Sequence, residues 1–299
     1  MKKITFLAVV LLASSGFILT AQDLDKLLRT ISADSTPTYA YGTFKGTTII
    51  NGQSVEVPGN NDLLFLISHR FGAVNSGLYN LFGLDQGTTR LGLEYGIKDI
   101  LSLSFGRSSY EKTYDGAIKV KLVRQQTGIK NIPVTITLYS GIYVETIKWA
   151  DPERDNLFSS RLSYSTQFLI ARKFGQRLSL QLSPSYVHIN LVPTSDDQNN
   201  IFSIGFGGRY KLSPKFSING EYYYLLPGQT ADDYANSLSF GVDIETGGHV
   251  FQLHLTNSQL MFAPGYIAMT ESKWSDGDIF LGFNIYRTFS LGRKDKNRH

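Results

Sequence analysis

Histidines are the residues with the widest chemical repertoire in this chain of 299 residues, because the sequence contains no cysteine. The absence of cysteine excludes disulfides, thiolate metal sites and thiol nucleophiles. A metal site built from histidines and carboxylates would need several of them to converge on one spot. We expect neither a metal nor another cofactor. The histidines are His69, His188, His249, His254 and His299.

One cluster of titratable groups is predicted around the short turn TGG at residues 246–248. Asp243, Glu245 and His254 lie on the two segments that this turn joins, and in a hairpin they would face the same side. Two interpretations fit this placement: a metal or ligand site, or a packing network of ion pairs and hydrogen bonds. We favour the network, since Arg209 and Glu221 are expected on the adjacent inner faces.

A second constellation raises the alternative of a lipid-acting enzyme. His188 and Asn190 share a face near the end of one predicted strand, and with a serine such a pair could support acyl transfer. However, no serine stands in a nucleophile motif, and no glycine-rich loop has the spacing of a phosphate or dinucleotide site. We therefore predict no catalytic residues and no enzymatic activity.

Alternation of apolar with small or polar residues dominates the chain from about residue 61 to residue 291. A period of two predicts β-strands rather than helices. Most predicted strands are long enough to cross a membrane when tilted, which takes about 9–11 residues. Soluble strands average about 5–6 residues. The twelve predicted strands lie near residues 62–71, 87–97, 100–108, 115–124, 133–145, 159–172, 177–188, 201–211, 215–226, 236–246, 249–257 and 278–290.

The two faces of these strands differ in a way that indicates an all-β, transmembrane, antiparallel up-and-down barrel. In the second strand Leu91 and Leu93 share one face, while Arg90, Gly92 and Glu94 share the other. The outer polar faces of a soluble sandwich are rich in Lys, Glu and Thr, whereas the second face here is dense in Gly and Ser. This composition is typical of a crowded polar lumen inside a lipid-facing apolar exterior.

The charged residues of the second face are the candidates for lining the lumen of such a barrel. Both signs are present, which predicts little ion selectivity or a self-neutralised, closed interior. The candidates are Arg90, Glu94, Lys119, Lys121, Arg161, Arg209, Glu221, Asp243, Glu245 and His254.

The connections between predicted strands alternate in length, as expected for outer-membrane barrels with long extracellular loops and short periplasmic turns. An even strand number with long loops at the odd connections places both ends of the barrel in the periplasm. The long connections are residues 72–86, 109–114, 146–158, 189–200, 227–235 and 258–277. The short connections are residues 97–100, 125–132, 173–176, 212–215 and 246–248.

Four regions are predicted along the chain. Residues 1–21 resemble a cleaved secretory signal peptide, with two lysines, an apolar stretch and a small residue before the cleavage point. Residues 22–60 are expected to form a periplasmic N-terminal segment that contains a short amphipathic helix. Residues 61–291 form the barrel, and residues 292–299 form a basic tail.

Composition supports a membrane protein without a nucleic-acid partner. The net charge is +4, from 29 Lys+Arg and 25 Asp+Glu, and two of the lysines lie in the predicted signal peptide. A nearly neutral mature chain gives no electrostatic reason to bind nucleic acid. Expected partners are outer-membrane lipid, the barrel-assembly machinery during insertion, and small solutes. The oligomeric state is not indicated.

The last long loop, residues 258–277, is unusually apolar for an exposed connection. It contains two of the three methionines, together with Phe262, Tyr266 and Trp274. Three roles fit this composition: a partial plug in the lumen, a contact with lipid headgroups, or a contact with a partner.

Several long sequence motifs resemble a family of β-barrel proteins from Bacteroidota called domain of unknown function 5777. The resemblance covers about residues 38–291 and implies an outer-membrane barrel of unassigned biochemical role, with no catalytic residues to transfer. The motifs are LISHRFG (66–72), LYNLFGLD (78–85), TRLGLEYGI (89–97), GRSSYEKTYDG (106–116), GGRYKLS (207–213), DIETGGHVFQLHLTNS (243–258) and GDIFLGFNI (277–285).

The sequence therefore predicts a passive outer-membrane barrel, either a narrow diffusion channel or a structural protein. An outer-membrane enzyme that acts on lipid is one alternative. A secreted, soluble β-sandwich that binds a ligand is the other.

Overall fold

Twelve long antiparallel strands, joined in chain order, form one closed barrel in the computed structural model of this protein. The model describes residues 37–128, 130–230 and 234–292. The predicted signal peptide, the predicted amphipathic helix and residues 293–299 of the predicted tail lie outside the described residues. The predicted strand number is confirmed.

The strands agree closely with the alternating segments of the sequence. They are β1 (Asp62–Ala73), β2 (Gly87–Lys98), β3 (Leu101–Ser108), β4 (Tyr114–Val123), β5 (Thr135–Val144), β6 (Leu162–Phe174), β7 (Leu178–Ile189), β8 (Asn200–Lys211), β9 (Phe216–Leu225), β10 (Ser237–Thr246), β11 (His249–Thr256) and β12 (Phe280–Ser290).

Pairing of the first and last strands closes the sheet. Ile285 of β12 lies opposite Ile67 of β1 in an antiparallel register, with one irregularity between Phe280 and Gly282. A closed barrel has no free edges, and a sandwich would consist of two packed sheets. The alternative of a soluble β-sandwich is therefore wrong.

Alternation along each strand separates an apolar exterior from a buried interior. Leu91 and Leu93 of β2 are 50% and 43% exposed, while Glu94 of the same strand is buried. Exposed leucines and phenylalanines continue around the outer face, as a lipid-facing surface requires. Among the described residues, no helix is both long and apolar enough to cross a membrane.

The connections divide the barrel into two different ends. Long loops leave one end, which we call the long-loop end, and most connections at the other end, the short-turn end, are brief. The connection 124–134 is the exception, because Gln126–Thr127 pairs with Thr38–Tyr39 from the N-terminal part of the chain. The barrel strands begin and finish at the short-turn end, at Asp62 and Ser290.

The N-terminal part of the chain enters the barrel, which corrects one prediction. Residues 43–57, here called the inner segment, lie in the lumen, and Ile49, Ile50 and Val55 are at most 3% exposed. The expectation that residues 22–60 lie in the periplasm is therefore wrong for these residues. The alternation of apolar and polar residues begins only at about residue 61. It therefore gave no information about where the preceding residues lie.

The last long loop also enters the lumen, from the opposite end. Residues 257–273, here called the capping loop, contain a short helix, α1 (Ala263–Ala268), in which every residue is buried. Helix α1 packs against β6, β7, β8 and β9. Of the three roles that the sequence left open for this loop, the structure shows the plug.

Candidate functional site

The inner segment is a narrow hairpin whose tip reaches the middle of the barrel. The backbone N–H of Ile49 donates to the carbonyl of Gly52 at 2.7 Å, and the N–H of Ser54 donates to the carbonyl of Thr47 at 2.9 Å. Few of its other backbone groups bond within the hairpin, so barrel side chains must satisfy them.

Glu221 of β9 holds the tip of the hairpin. Its carboxylate accepts the backbone N–H groups of Ile50, Asn51 and Gly52 at 3.1, 2.7 and 3.0 Å. Hydrogen bonds to a charged acceptor are stronger than those between neutral groups. One predicted lumen residue therefore anchors the whole turn.

Side chains from other strands donate to the carbonyl groups of the hairpin. Gln252 of β11 donates to Ile49 at 2.6 Å, and Asn284 of β12 donates to Ile50 at 3.0 Å. Lys119 of β4 donates to the carbonyl of Thr47 at 2.7 Å. The hairpin is thus bonded on several sides of the lumen at once.

Gln181 of β7 bonds one edge of the hairpin with both atoms of its amide. Its oxygen accepts the N–H of Val55 at 3.0 Å, and its nitrogen donates to the carbonyl of Gln53 at 2.7 Å. Thr137 of β5 donates to the carbonyl of Val55 at 3.1 Å. These contacts reproduce, with side chains, the pairing that a neighbouring strand would provide.

Asn51 at the hairpin tip is bonded through its side chain as well. Its amide oxygen accepts a hydrogen bond from Arg70 at 2.7 Å. Its amide nitrogen lies 3.1 Å from the hydroxyl oxygen of Ser239 and 3.0 Å from that of Thr256. Every hydrogen-bonding atom of this side chain is therefore used.

Arg90 and Asp115 form a two-pronged ion pair on the wall of the lumen. Arg90 Nε and Nη2 lie 2.9 and 2.5 Å from the two carboxylate oxygens. The pair crosses β3 above Gly106, where the Cβ of any other residue would collide with Arg90 and come within 2.8 Å of Asp115. A side chain at position 106 would therefore have to displace this ion pair.

Three more ion pairs involve predicted lumen residues, and two of them include the inner segment. Lys119 lies 3.8 Å from Glu94 within the wall. Lys121 lies 3.4 Å from Glu56 of the inner segment. Glu245 pairs with Lys45 of the inner segment, near the short-turn end of the barrel. The predicted neutralisation is present, but the hairpin supplies part of the charge.

Arg209 fixes the entry of the N-terminal chain into the barrel. Its guanidinium donates to the carbonyls of Gly42 and Thr43 at 2.9 and 3.2 Å, and to the hydroxyl of Ser217 at 3.0 Å. A predicted lumen residue therefore positions the start of the inner segment.

Arg161 does not line the lumen, which corrects its assignment. It precedes β6 at the long-loop end, where Nη1 donates to the carbonyls of Glu145 and Ile147 at 3.0 and 2.6 Å. Its guanidinium stacks over Trp149 at 3.7 Å. The strand begins at Leu162 rather than at residue 159, so the alternation does not extend to Arg161.

Asp243 and His254 both face the lumen, but only Asp243 is hydrogen-bonded there. Asp243 accepts a hydrogen bond from Gln252 at 2.7 Å, whereas buried His254 makes no hydrogen bond among the described residues. In the parts of the chain that the structure describes, no group of three or more histidines and carboxylates is arranged to hold a metal ion.

Within the part of the chain that the structure describes, His188 makes no hydrogen bond to a serine. It lies on the outer face of β7 near the long-loop end, and its Nδ1 is 2.7 Å from the side-chain oxygen of Asn200. The ring of Tyr164 lies 6.2 Å from its ring. The hydrogen-bond partner of His188 is thus an amide and not the serine that acyl transfer would require.

An apolar core fills the half of the lumen lined by β5–β9. Tyr223 lies between the two inserted elements: its ring centroid is 5.1 Å from that of Tyr266 in α1, and it packs against Gly52 at the hairpin tip. Phe262 and Tyr143 continue this contact, with ring centroids 6.1 Å apart. Polar residues of the same strands, such as Gln181 and Glu221, also face the lumen, so this half of the interior is mixed.

The inner segment leaves cavities between itself and the wall. One, near the short-turn end, measures about 300 Å³ and is lined in part by Phe44 and Tyr286. Another, between the hairpin and β2, measures about 30 Å³ and is lined in part by Thr47, Arg90 and Glu94. The smaller cavity has room for about two water molecules. The inserted segments thus occupy much of the lumen without filling it.

Sequence analysis missed several residues that hold the site together. Arg70, Asp115, Gln181, Gln252 and Asn284 all face inward and are at most 4% exposed. The alternation of their own strands indicated this face, but the prediction included neither the amides nor the charged residues Arg70 and Asp115. Lys45 and Glu56 were not indicated by any period.

Carboxylates gather at the long-loop end, outside the barrel strands. Burial, together with the charges of Glu145 and Glu271, raises the pKa of Glu111 to about 7. Burial also raises the pKa of Glu145, although Arg161 partly opposes this shift. The carboxyl group of Glu111 therefore changes its protonation near neutral pH.

Comparison with known protein families gives one match. The sequence model described as "Membrane bound beta barrel domain (DUF5777)" matches residues 44–289. Comparison with curated proteins finds no relative.

Comparison with solved structures finds other barrels at low sequence identity. The NanC porin is 10% identical, with a TM-score of 0.48 over 77% of this chain and 100% of its own. An outer-membrane channel from Pseudomonas putida F1 is 15% identical, with a TM-score of 0.45 over 79% and 98%. Omp33 of Acinetobacter baumannii is 9% identical, with a TM-score of 0.43 over 79% and 100%.

Replacement of Gly106 by alanine is predicted to weaken the ion pair on the lumen wall. The added methyl group would occupy space used by Arg90 and Asp115, so the free energy of unfolding should fall by about 1–3 kcal/mol. Urea unfolding in lipid vesicles measures this change. Gly116→Ala is the matched control, because its nearest atoms, from Ile142 and Ser104, are 3.9 Å away; equal losses in both variants would contradict the prediction.

The long-loop end is predicted to lose stability as pH rises. Because folding raises the pKa of Glu111 from 4.5 to about 7, its contribution is complete below about pH 4.5 and is lost as pH passes 7. Thermal unfolding and protease cleavage of the loops, compared at acid and alkaline pH, measure the effect. Glu111→Gln should reduce the difference, and an unchanged pH dependence in this variant would refute the assignment.

Proposed function

Because the chain belongs to the family of membrane-bound β-barrel domains DUF5777, we propose that it is an outer-membrane channel held closed by its own inner segment. The short-turn end faces the periplasm, and the long loops face the exterior. Small solutes pass only when the inner segment leaves the lumen. No step of this function requires an enzyme activity.

One observation carries the proposal: polar side chains of the wall hold the hairpin by its backbone. Glu221 accepts three N–H groups, and Gln252 and Asn284 donate to carbonyls. Water can replace such partners at little net cost, because exchanging protein for water hydrogen bonds changes the free energy only modestly. The hairpin is therefore a removable element.

The chemistry of the wall also distinguishes a closed channel from a barrel that is only structural. Small structural barrels fill their interior with their own inward side chains. Here the lining of β1–β4 and β10–β12 is largely polar, including Arg70, Glu94 and Asn284, and it completes its hydrogen bonds with a separate segment. Once freed, these side chains would line a path filled with water.

We place the path along β1–β4 and β10–β12, beside α1. The capping loop packs on the apolar core that β5–β9 surround, through Tyr266 and Phe262, and has no charged residue in α1. Moving the capping loop into water would expose the apolar surface that packs against β6–β9, so the hairpin leaves the lumen more easily. We therefore assign the moving part to residues 43–57.

Single-channel recording in planar lipid bilayers tests this function. The double variant Glu221→Ala/Gln252→Ala removes acceptors and a donor that hold the hairpin, so openings should become at least about ten-fold more frequent than in the unmodified protein. Ser185→Ala is the control, since this buried lumen serine bonds to Ser183 and not to the hairpin.

A cross-link then shows whether the hairpin is the moving part. The natural chain has no cysteine, and the side chains of Asn51 and Ser239 touch at 3.1 Å, so Asn51→Cys/Ser239→Cys can be oxidised without competing pairs. In the background of the double variant, oxidation should abolish the openings and reduction should restore them. Openings that persist in the oxidised protein, or a silent lumen in every inserted variant, would overturn the proposal.

A further inference from the structure

The outer surface of the barrel carries a groove that the closed lumen does not explain. It measures about 740 Å³ and runs across β7–β12. Its walls are apolar side chains that are each more than one third exposed. They include Leu178, Tyr210, Ile218, Phe240, Val242 and Leu255.

Two glycines on neighbouring strands form the floor of the groove. Gly208 of β8 lies directly opposite Gly220 of β9, and both face outward because their neighbours in sequence, including Arg209 and Asn219, are buried in the lumen. The adjacent positions in the same row are Leu180 and Phe240. Because the two glycines have no side chain and the flanking Leu180 and Phe240 have large ones, the surface between them forms a depression.

The backbone does not require glycine at either position. Neither residue has a positive φ angle, and the β8–β9 pairing is continuous through both. A Cβ on Gly220 would make only ordinary contacts with Phe240, at 3.6 and 3.7 Å. Glycine in a strand interior often marks a bulge, a tight bend or the close approach of another molecule, and the pairing here contains no bulge.

A cation stands beside the groove near the short-turn end. Arg172 of β6 lies on the outer face opposite Leu180, and its guanidinium stacks over Phe174 at 4.8 Å. Among the described residues it takes part in no ion pair. Its positive charge is therefore available to an anionic group at this surface.

The guanidinium is placed at the depth of the headgroups. Phe174, over which it lies, is the last residue of β6 at the short-turn end, and aromatic rings are favoured at the membrane interface. Arginine binds phosphate through several N–H groups at once. The cation therefore lies where a phospholipid of that leaflet places its phosphate.

We propose that this groove and Arg172 form a binding site for one anionic phospholipid of the leaflet at the short-turn end. An acyl chain lies over Gly208 and Gly220, and the phosphate pairs with Arg172. Lipid tails are as apolar as leucine, so burial alone does not retain a particular lipid in a membrane. Shape and charge together do so. The site depends on membrane insertion and not on the proposed channel.

A second copy of the chain fits this surface less well. Two copies related by a two-fold axis present the same patch to each other, which would bring two concave surfaces together and leave the groove empty. The unpaired positive charge of Arg172 would also meet a like charge. A flexible acyl chain with an anionic headgroup fits both features.

Native mass spectrometry tests the site. The full mature protein is inserted in vesicles of phosphatidylcholine with phosphatidylglycerol, released, and analysed for retained lipid. We expect preferential retention of one phosphatidylglycerol. Arg172→Gln should reduce this preference about five-fold, since one basic residue near a membrane surface is worth about that factor. Gly220→Leu should reduce retention of either lipid by filling the floor.

Matched controls separate this site from general attraction. Arg107 also lies on the outer face and stacks over an aromatic ring, Tyr114, at 5.5 Å, but at the long-loop end. Arg107→Gln should retain the preference of the unmodified protein, and heat-modifiable migration on gels shows that each variant is folded. An equal loss in Arg107→Gln, an unchanged preference in Arg172→Gln, or dimers that disappear in Gly220→Leu would each overturn the proposal.

Discussion

Backbone polar groups that are buried away from water need hydrogen-bond partners, and this requirement connects the inner segment to most strands of the barrel. The hairpin belongs to neither the sheet nor a helix, yet it lies at the depth of the membrane. Glu221 satisfies its turn, Gln181 satisfies one edge, and Gln252 and Asn284 satisfy its carbonyls. The polar side chains of the lumen are therefore best understood as the complement of this segment.

The lumen is divided between two kinds of packing, and each inserted element uses a different mixture of them. The capping loop enters from the long-loop end and contributes Phe262 and Tyr266 to an apolar core. The hairpin enters from the short-turn end and touches that core through Ile49 and Val55, but its other side depends on hydrogen bonds and ion pairs. The two inserted elements therefore differ in the interactions that hold them in the lumen.

Glycines on the two faces of the wall serve opposite purposes. Inside, Gly106 makes room for the ion pair of Arg90 and Asp115, which crosses the strand directly above it. Outside, Gly208 and Gly220 have no such neighbour and leave a depression in the lipid-facing surface. The abundance of glycine in the sequence was interpreted as crowding in the lumen, and this interpretation holds for only one of the two faces.

Sequence alone determined the strands, their number and their faces, because side-chain alternation is a local property that every strand repeats. The same alternation did not extend to Arg161, where a strand begins three residues later than expected. Only the tertiary structure decided what fills the lumen. The hairpin has no period, and its partners, such as Glu221 and Asn284, are more than a hundred residues away in the chain. A polar side chain of the wall can bond water, another wall residue or the backbone of an inserted segment. Which of these it bonds depends on segments distant in the chain, so local alternation cannot predict it.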